Sequence, residues 1–479
     1  MPIFSLPSPY GIGTLGKAAK GFVDFLKEAG QSFWQILPIG HTGFGDSPYQ
    51  SFSSFAGNPY FIDLDELAEA GLLKPSELEE HKALGEIDYG KLFETRYPLF
   101  KKAFSRFLPN KKYISFQKEN ADWLEDYALF MAIKDSKNGC DFYLWEEPLR
   151  KREPEALKRA EKELRAEVEF YKTLQFWFFE QWQEIKAYAN KNGISIIGDI
   201  PIYTARDSAD IWAQPEQFQL DKNGRLSSVA GVPPDAFSED GQLWGNPLYD
   251  WNYMKKDNYD WWIRRIRTNA KLFDVVRIDH FRAFDEYFSI PANALSAKEG
   301  KWKKGPGIAL FKRIKEELGK VNIIAEDLGI LTKSVEKLLK KTGYPGMVVL
   351  QFAFSPEEES RYLPHNIEKN SVVYTGTHDN NTIECWFLEE EEETTEFCKK
   401  YLRLNEQEGH NWGMIKAALA SPAETCILSM QDFMGLGSEA RINTPSTDSG
   451  NWVWRIEGGC LNPWLSGIIR EETEKYFRI

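Results

Sequence analysis

The residues best placed to do chemistry are carboxylates that close apolar, β-branched runs. Three such runs are Val275-Val276-Arg277-Ile278-Asp279-His280, Ile323-Ile324-Ala325-Glu326-Asp327 and Val372-Val373-Tyr374-Thr375-Gly376-Thr377-His378-Asp379. Each is predicted to be a buried parallel strand whose last residues carry an acid. Burying a carboxylate without a partner is costly, so an acid at such a place needs a task. When several parallel strands end this way, their acids gather at one face of a sheet or barrel, where catalytic groups are placed. Two carboxyl groups about 5 Å apart are the equipment of retaining glycoside chemistry. One motif alone reads equally well as a helix cap or a partner for a nearby Arg. Three of them, two with a His beside the Asp, favour a shared site.

Arg277 and Asp279 lie two apart on a strand, so their side chains point the same way. A fixed positive charge beside Asp279 is expected to keep it ionised, as a nucleophile must be. Glu326 is the natural counterpart, because a partly desolvated pocket would keep it protonated as a general acid. His378 and Asp379 supply donors and an acceptor for sugar hydroxyls, and His280 offers the same. Asp199, in Gly198-Asp199-Ile200-Pro201, is a fourth strand-end acid with an expected structural or hydrogen-bonding role. Of the six His in the chain, two directly flank motif aspartates, which favours sugar contact over buried core imidazoles.

The elements that must position these groups recur along the chain. Strand-like runs at Phe33–Ile39, Ile194–Ile202, Val275–Phe281, Val321–Leu328, Met347–Phe354, Val372–Asp379 and Thr425–Met430 are separated mostly by helical stretches. A short strand at Pro2–Leu6 would make eight, and eight such units close a (β/α)8 TIM barrel in the α/β class. The whole of 1–479 is read as one catalytic barrel unit. The interval between the runs at Phe33 and Ile194 far exceeds a single crossover. Residues 60–190 are therefore predicted to be an inserted, mostly helical subdomain. Residues 204–273, rich in Gly, Pro and Asp, are predicted to be loops over the active face. The stretch Glu153–Ala189 reads as one or two helices, with Phe170, Trp177, Phe178 and Trp182 packing on the barrel.

Composition narrows the partners. A formal charge of -13 argues against nucleic acid or an anionic membrane and suits a neutral ligand. No apolar run approaches the roughly 20 residues of a membrane span. The first residues lack a basic segment followed by an apolar stretch, so no signal peptide and a cytoplasmic location are expected. Five scattered Cys without a C-x-x-C pair suit a reducing compartment and offer no zinc site. Asp221-Lys222-Asn223-Gly224 resembles half a calcium loop, but Val232 stands where the bidentate Glu belongs, so it reads as a hairpin turn. No metal and no organic cofactor are implied. Gly11, Gly13 and Gly16 nominally form G-x-G-x-x-G, yet no convincing strand precedes them and no acidic partner follows.

These motifs, in this order, resemble the strand-end regions of the α-amylase clan of retaining enzymes. Further segments are similar to one family within it, the 4-α-glucanotransferases known as amylomaltase or disproportionating enzyme. They are Ser5-Leu6-Pro7-Ser8-Pro9-Tyr10-Gly11-Ile12-Gly13, Gly45-Asp46-Ser47-Pro48-Tyr49-Gln50-Ser51-Phe52, Asn58-Pro59-Tyr60, Val229-Ala230-Gly231-Val232-Pro233-Pro234-Asp235, Leu243-Trp244-Gly245-Asn246-Pro247 and Gly450-Asn451-Trp452. The resemblance implies that Asp279 is the nucleophile, Glu326 the acid/base and Asp379 a third carboxylate orienting the sugar. It places Arg277, His378 and Asp199 in the donor subsite, Tyr49 and Trp244 on the acceptor side, and Asn443 among the substrate contacts. The implied partners are malto-oligosaccharides and starch or glycogen chains. Phe44 stands where some relatives have Tyr at a secondary glucan site, and Ser446 replaces the usual Gly of the Asn443-Thr444-Pro445-Ser446 segment. The chain reaches Ser5-Leu6-Pro7 sooner than many relatives, so its first strand is expected to be short. Two other functions compete: an amylase-like hydrolase in which water replaces the acceptor, and a glucan-binding protein on a decayed barrel. Retention of Asp279 and Glu326 argues against decay, and the whole-chain resemblance favours transfer over hydrolysis.

Overall fold

The computed structural model describes residues 1–234, 239–329, 331–447 and 449–479, and the side chain of Phe44 lies outside that description. The expectation attached to Phe44 therefore falls outside the described residues. Among these residues eleven strands form: β1 (Phe33–Gln35), β2 (Ser195–Ile200), β3 (Ser228–Val232), β4 (Gln242–Pro247), β5 (Val275–Ile278), β6 (Glu286–Pro291), β7 (Lys301–Lys304), β8 (Ile323–Ala325), β9 (Gly346–Val349), β10 (Ser371–Tyr374) and β11 (Thr425–Ile427). Seven of them are the parallel strands expected from the apolar runs. They lie in the orders β1-β2-β5-β8 and β9-β10-β11. The seam between β8 and β9 is bridged by Ala325 N–H donating to Pro345 O at 3.0 Å and by Met347 N–H donating to the Asp327 carboxylate at 2.7 Å.

Side chains alternate across these strands with period two. Ile197, Ile324, Met347, Val349, Val372 and Tyr374 form a separate buried cluster, the filling of the barrel interior. Asp199 and Arg277 are paired in register on β2 and β5, one step nearer the strand ends. The outer faces pack on helices, among them Lys17–Glu28, Arg165–Lys191, Asp260–Leu272, Ile308–Leu318 and Lys333–Thr342. The architecture is the α/β barrel.

The eighth strand at Pro2–Leu6 does not form. Turn bonds from Ser5 N–H to Pro2 O and Leu6 N–H to Ile3 O curl that segment, and the Ser5 hydroxyl donates to Trp454 O at 2.7 Å. The two prolines at positions 2 and 7 lack the N–H groups a ladder needs. A cavity of about 720 Å³ lies at the seam between β11 and β1 and is lined by Phe22, Trp34 and Cys426 among others. Gly13 and Gly16 serve packing in this region. A Cβ on Gly13 would lie 1.8 Å from Ile3 O, and one on Gly16 would lie 2.2 Å from the Asp63 carboxyl.

Between β1 and β2 the chain makes only helical elements among the described residues, including Tyr89–Arg106, Ala121–Ser136 and Arg165–Lys191. The stretch around Glu153–Ala189 is two helices, Pro154–Glu163 and Arg165–Lys191, and the latter buries Phe170, Trp177, Phe178 and Trp182. Residues 204–273 are more ordered than their Gly/Pro content suggests. They contribute β3 and β4 to a second, antiparallel sheet of order β4-β3-β6-β7, because β6 supplies β3 with a partner that local sequence cannot reveal. Asp221 to Gly224 is a turn closed by the Asp221 carboxylate on the Asn223 and Arg225 N–H groups. No helix among the described residues is long and apolar enough to cross a membrane.

Candidate active site

The parallel strands bring their terminal acids to one end of the barrel. Arg277 on β5 is almost fully buried, and its Nη1 lies 2.6 Å from Asp199 Oδ2 and 3.4 Å from Asp279 Oδ1. Spacing alone made Arg277 the partner of Asp279. The neighbouring strand overrides that, because Asp199 lies directly across the ladder. Asp199 Oδ2 also accepts the Tyr49 hydroxyl at 2.7 Å, and its buried Oδ1 has no hydrogen-bond partner among the described residues.

Arg277 is thus only one of the influences on Asp279. Burial pushes its carboxyl well above the usual carboxylate range. Arg277 opposes the rise, while the negative charges of Glu326, Asp199 and Asp379 add to it. One guanidinium more tightly engaged by Asp199 cannot neutralise the whole group. Arg277 itself is held well above its ordinary value: burial opposes its charge, and the surrounding Asp199, Tyr49, Asp279 and Glu326 outweigh burial.

Glu326 follows β8 and is 9% exposed. Both of its carboxylate oxygens accept main-chain donors: Oε2 from His280 N–H at 2.6 Å and Oε1 from Leu328 N–H at 2.8 Å. The adjoining Asp327 turns away from the cleft. It braces β9 through Met347 N–H and meets Arg361 Nη1 at 3.3 Å.

Asp379 sits past β10 on a loop at the rim, its side chain 48% exposed. Asn443 Nδ2 donates to its Oδ1 at 2.6 Å, His378 Nε2 lies 3.3 Å from the same oxygen, and Arg441 Nη2 donates to its carbonyl at 2.8 Å. His378 stacks on Tyr49 with centroids 5.1 Å apart and an interplanar angle of 16°. Ser446, in the loop that carries Asn443, adopts φ 65, the left-handed conformation that glycine enters most freely.

His280 faces another aromatic. Its ring meets Trp244 edge-on at 5.0 Å, and burial pushes its imidazole down to about 4, leaving it neutral near pH 7. Trp244 lies on β4, with its Nε1 donating to Gln242. The structure thus divides the expected sugar-binding residues. Asp199, Arg277, Tyr49, His378, Asp379 and Asn443 form one connected group, and His280 and Trp244 stand together beside Glu326. Trp452 was missed as a site residue. It packs against both Tyr49 and His378, at 5.9 and 5.8 Å. The signal was its place in the Gly450-Asn451-Trp452 segment.

A family model described as 4-alpha-glucanotransferase matches residues 1–461. The 4-alpha-glucanotransferase of Clostridium butyricum is 48% identical over the full length of both chains. That of Thermus thermophilus is 47% identical over 99% of this chain and 97% of its own. Among solved structures, amylomaltase from Streptococcus agalactiae in complex with acarbose superposes with a TM-score of 0.96 at 40% identity, covering 100% of this chain and 98% of that one. The full-length match, together with acids gathered at the ends of parallel strands, shows that the chain belongs to the 4-alpha-glucanotransferase family and is an enzyme of retaining glycoside chemistry.

Proposed function

We propose that the substrates are α-1,4-linked malto-oligosaccharides and starch or glycogen chains, with Asp279 as nucleophile, Glu326 as acid/base and Asp379 as the carboxylate that orients the donor sugar. In the first step an Asp279 oxygen bonds to C1 as the C1–O4 bond breaks, and Glu326 gives its proton to the departing O4. In the second, the 4-hydroxyl of an acceptor glucan bonds to C1 as the ester to Asp279 breaks, and Glu326 takes the hydroxyl proton. Arg277, Asp199, His378 and Asn443 hold the donor side, and Trp244 with His280 borders the acceptor.

One observation supports this division of labour most directly. Asp279 keeps 29% of its side chain exposed, whereas Asp199, on the same guanidinium, is 1% exposed. The open acid is the one able to meet a sugar. In this reading 1–479 is one catalytic barrel unit, carrying the helical subdomain at 60–190 and the active-face insertion at 204–273. A cytoplasmic setting is in keeping with the five Cys, all of which are free thiols in the structure.

Incubation with maltotriose tests the reading. A ladder of longer and shorter glucans is expected. Glucose and maltose alone would mean that water takes the acceptor's place and that the chain behaves as a hydrolase.

A further inference from the structure

His280 is the residue whose conformation and contacts the proposed reaction leaves unexplained. It follows Asp279 directly and adopts φ 47, ψ 49, the left-handed region that side-chain-bearing residues rarely enter. Its imidazole is packed edge-on against Trp244, while its main-chain N–H lies 2.6 Å from Glu326 Oε2. The next amide is committed as well, since Phe281 N–H donates to Glu326 O at 2.9 Å. Two successive amides therefore converge on one residue of the neighbouring strand. A left-handed residue at the mouth of the short helix Phe281–Phe284 turns both of them that way.

We infer that the His280 main-chain N–H is the positioning group for Glu326, and that the left-handed turn at His280 exists to aim it. This inference rests on Glu326 being the acid/base. A carboxylate rotates about its last bonds, and a general acid must present its proton along the line to the leaving oxygen. The Leu328 N–H on Oε1 and the His280 N–H on Oε2 hold the two oxygens from opposite sides and fix that rotation. Each oxygen has two lone-pair sites, so one remains on each for the proton in transit. Strain kept at a reaction centre is in keeping with such a task. The His280 side chain then has a secondary part, and the backbone carries the effect.

A substitution series separates backbone from side chain. Gly enters the left-handed region freely and Asn readily, Ala less so and β-branched Val least. The first step alone is measured, as the single-turnover rate of bond cleavage, with maltotriose, whose leaving group needs a proton, and with an α-glucosyl fluoride donor, whose leaving group does not; the second step needs Glu326 as base with either donor. His280→Val is expected to lose at least 30-fold in the single-turnover rate on maltotriose and no more than threefold in that of fluoride release, with KM little changed. His280→Gly and His280→Asn are expected to recover at least tenfold of that loss, and His280→Ala to fall between them and His280→Val. Because His280→Ala, His280→Gly and His280→Asn all delete the imidazole, the order among them decides the matter even if His280→Val does not fold. Equal loss across the series would assign the effect to the imidazole and overturn the inference. Equal loss on both donors would mean that Asp279 had moved, and would overturn it too. Glu326→Gln, run alongside, tests the underlying reading by itself. If that variant shows no preference for the fluoride, Glu326 is not the acid, whatever the His280 series gives.

Discussion

The strand-end site and the helical region between β1 and β2 use the same charged residues to opposite ends. In the helical region the buried cations serve packing and bracing: Arg96 donates to the main-chain carbonyl of Tyr10, and two lysines meet acids that are partly exposed. Lys172 lies 2.6 Å from Glu125 and 3.4 Å from Glu169, and Lys134 is paired with Asp207. Packing around them is aromatic: Tyr113, Phe107 and Phe176 contact one another at 5.3 to 5.9 Å. At the strand ends Arg277 stands against Asp199 and Asp279, with Glu326 and Asp379 in electrostatic reach. Acids spread along a partly exposed surface hold a structure together, whereas several crowded around one buried cation repel one another. A surplus of one sign, held in place by its surroundings, stores free energy for chemistry. The difference teaches where to look for function in this molecule, and it can be broken from either side.

Asp279→Ala should have the largest effect. Transfer is expected to fall below one per cent of wild type, because no covalent intermediate can form. Removing one acid from a surplus should leave Tm at or above the wild-type value, a stability–activity trade-off. A calorimetric scan beside the maltotriose assay checks both halves, and a marked fall in Tm would show that Asp279 is part of a balanced structural pair.

Arg277→Met breaks the comparison from the other side. Deleting one partner of a buried ion pair leaves the other charge uncompensated and costs about 3 to 5 kcal/mol. Denaturant unfolding should show that loss together with loss of transfer. A variant that lost activity alone would mean that Asp199 needs no cation.

The surplus also predicts a pH dependence. The folded Asp279 carboxyl is raised, so the folded chain binds more protons than the unfolded one between about pH 4, the ordinary Asp value, and the folded value. Stability from this group is therefore present at low pH and lost as pH rises through that window. Asp279→Asn has no such proton to lose. Its Tm advantage over wild type should be greatest near neutral pH and should shrink on acidification. An advantage constant with pH would locate the surplus charge elsewhere.

Much of this was legible in the chain. The seven apolar runs became seven parallel strands because a strand buried on both faces must be apolar throughout. The acids at their ends gathered as expected, since strands running the same way present their ends at the same face. The partner of Arg277 was not legible. Two-residue spacing pointed to Asp279, but the closest contact comes from Asp199, on β2, across the ladder. The second sheet was hidden for the same reason, as the β3–β4 hairpin joins it through β3 on β6, which follows the insertion in sequence. Tyr49 shows a third limit. The resemblance implies a place on the acceptor side, and what no sequence signal disclosed is that its hydroxyl is bound to Asp199 and its ring to His378.

The structure separates two aromatics grouped together by sequence. Trp244 stands beside His280 on the Glu326 side, and losing its stacking with an acceptor sugar is worth on the order of 1 kcal/mol. Such a change shifts partitioning between sugar and water roughly fivefold. Trp244→Ala should raise the hydrolysis-to-transfer ratio by that factor with little loss of donor cleavage. Tyr49→Ala should lower donor cleavage as well, because it removes a donor from Asp199. Free glucose from maltotriose, set against total bond turnover, reads both. Identical behaviour in the two variants would dissolve the distinction.

The smallest effect belongs to the helical region and tests whether its interactions are structural alone. Asn110 caps the helix Lys111–Glu119 by accepting the Tyr113 N–H at 3.0 Å. Such a cap satisfies one of the donors that a helix start leaves without an intrahelical partner. Asn110→Ala is expected to cost roughly 0.5 to 1 kcal/mol, toward the low end of measured caps because the site is exposed. No charge in the cleft changes, so kcat, KM and the hydrolysis ratio should match wild type within error. Urea unfolding and the maltotriose assay on the same preparation give the answer. A shift in the hydrolysis ratio would mean that the helical region reaches the acceptor side of the cleft, and the division between spread and crowded acids would no longer separate structure from function.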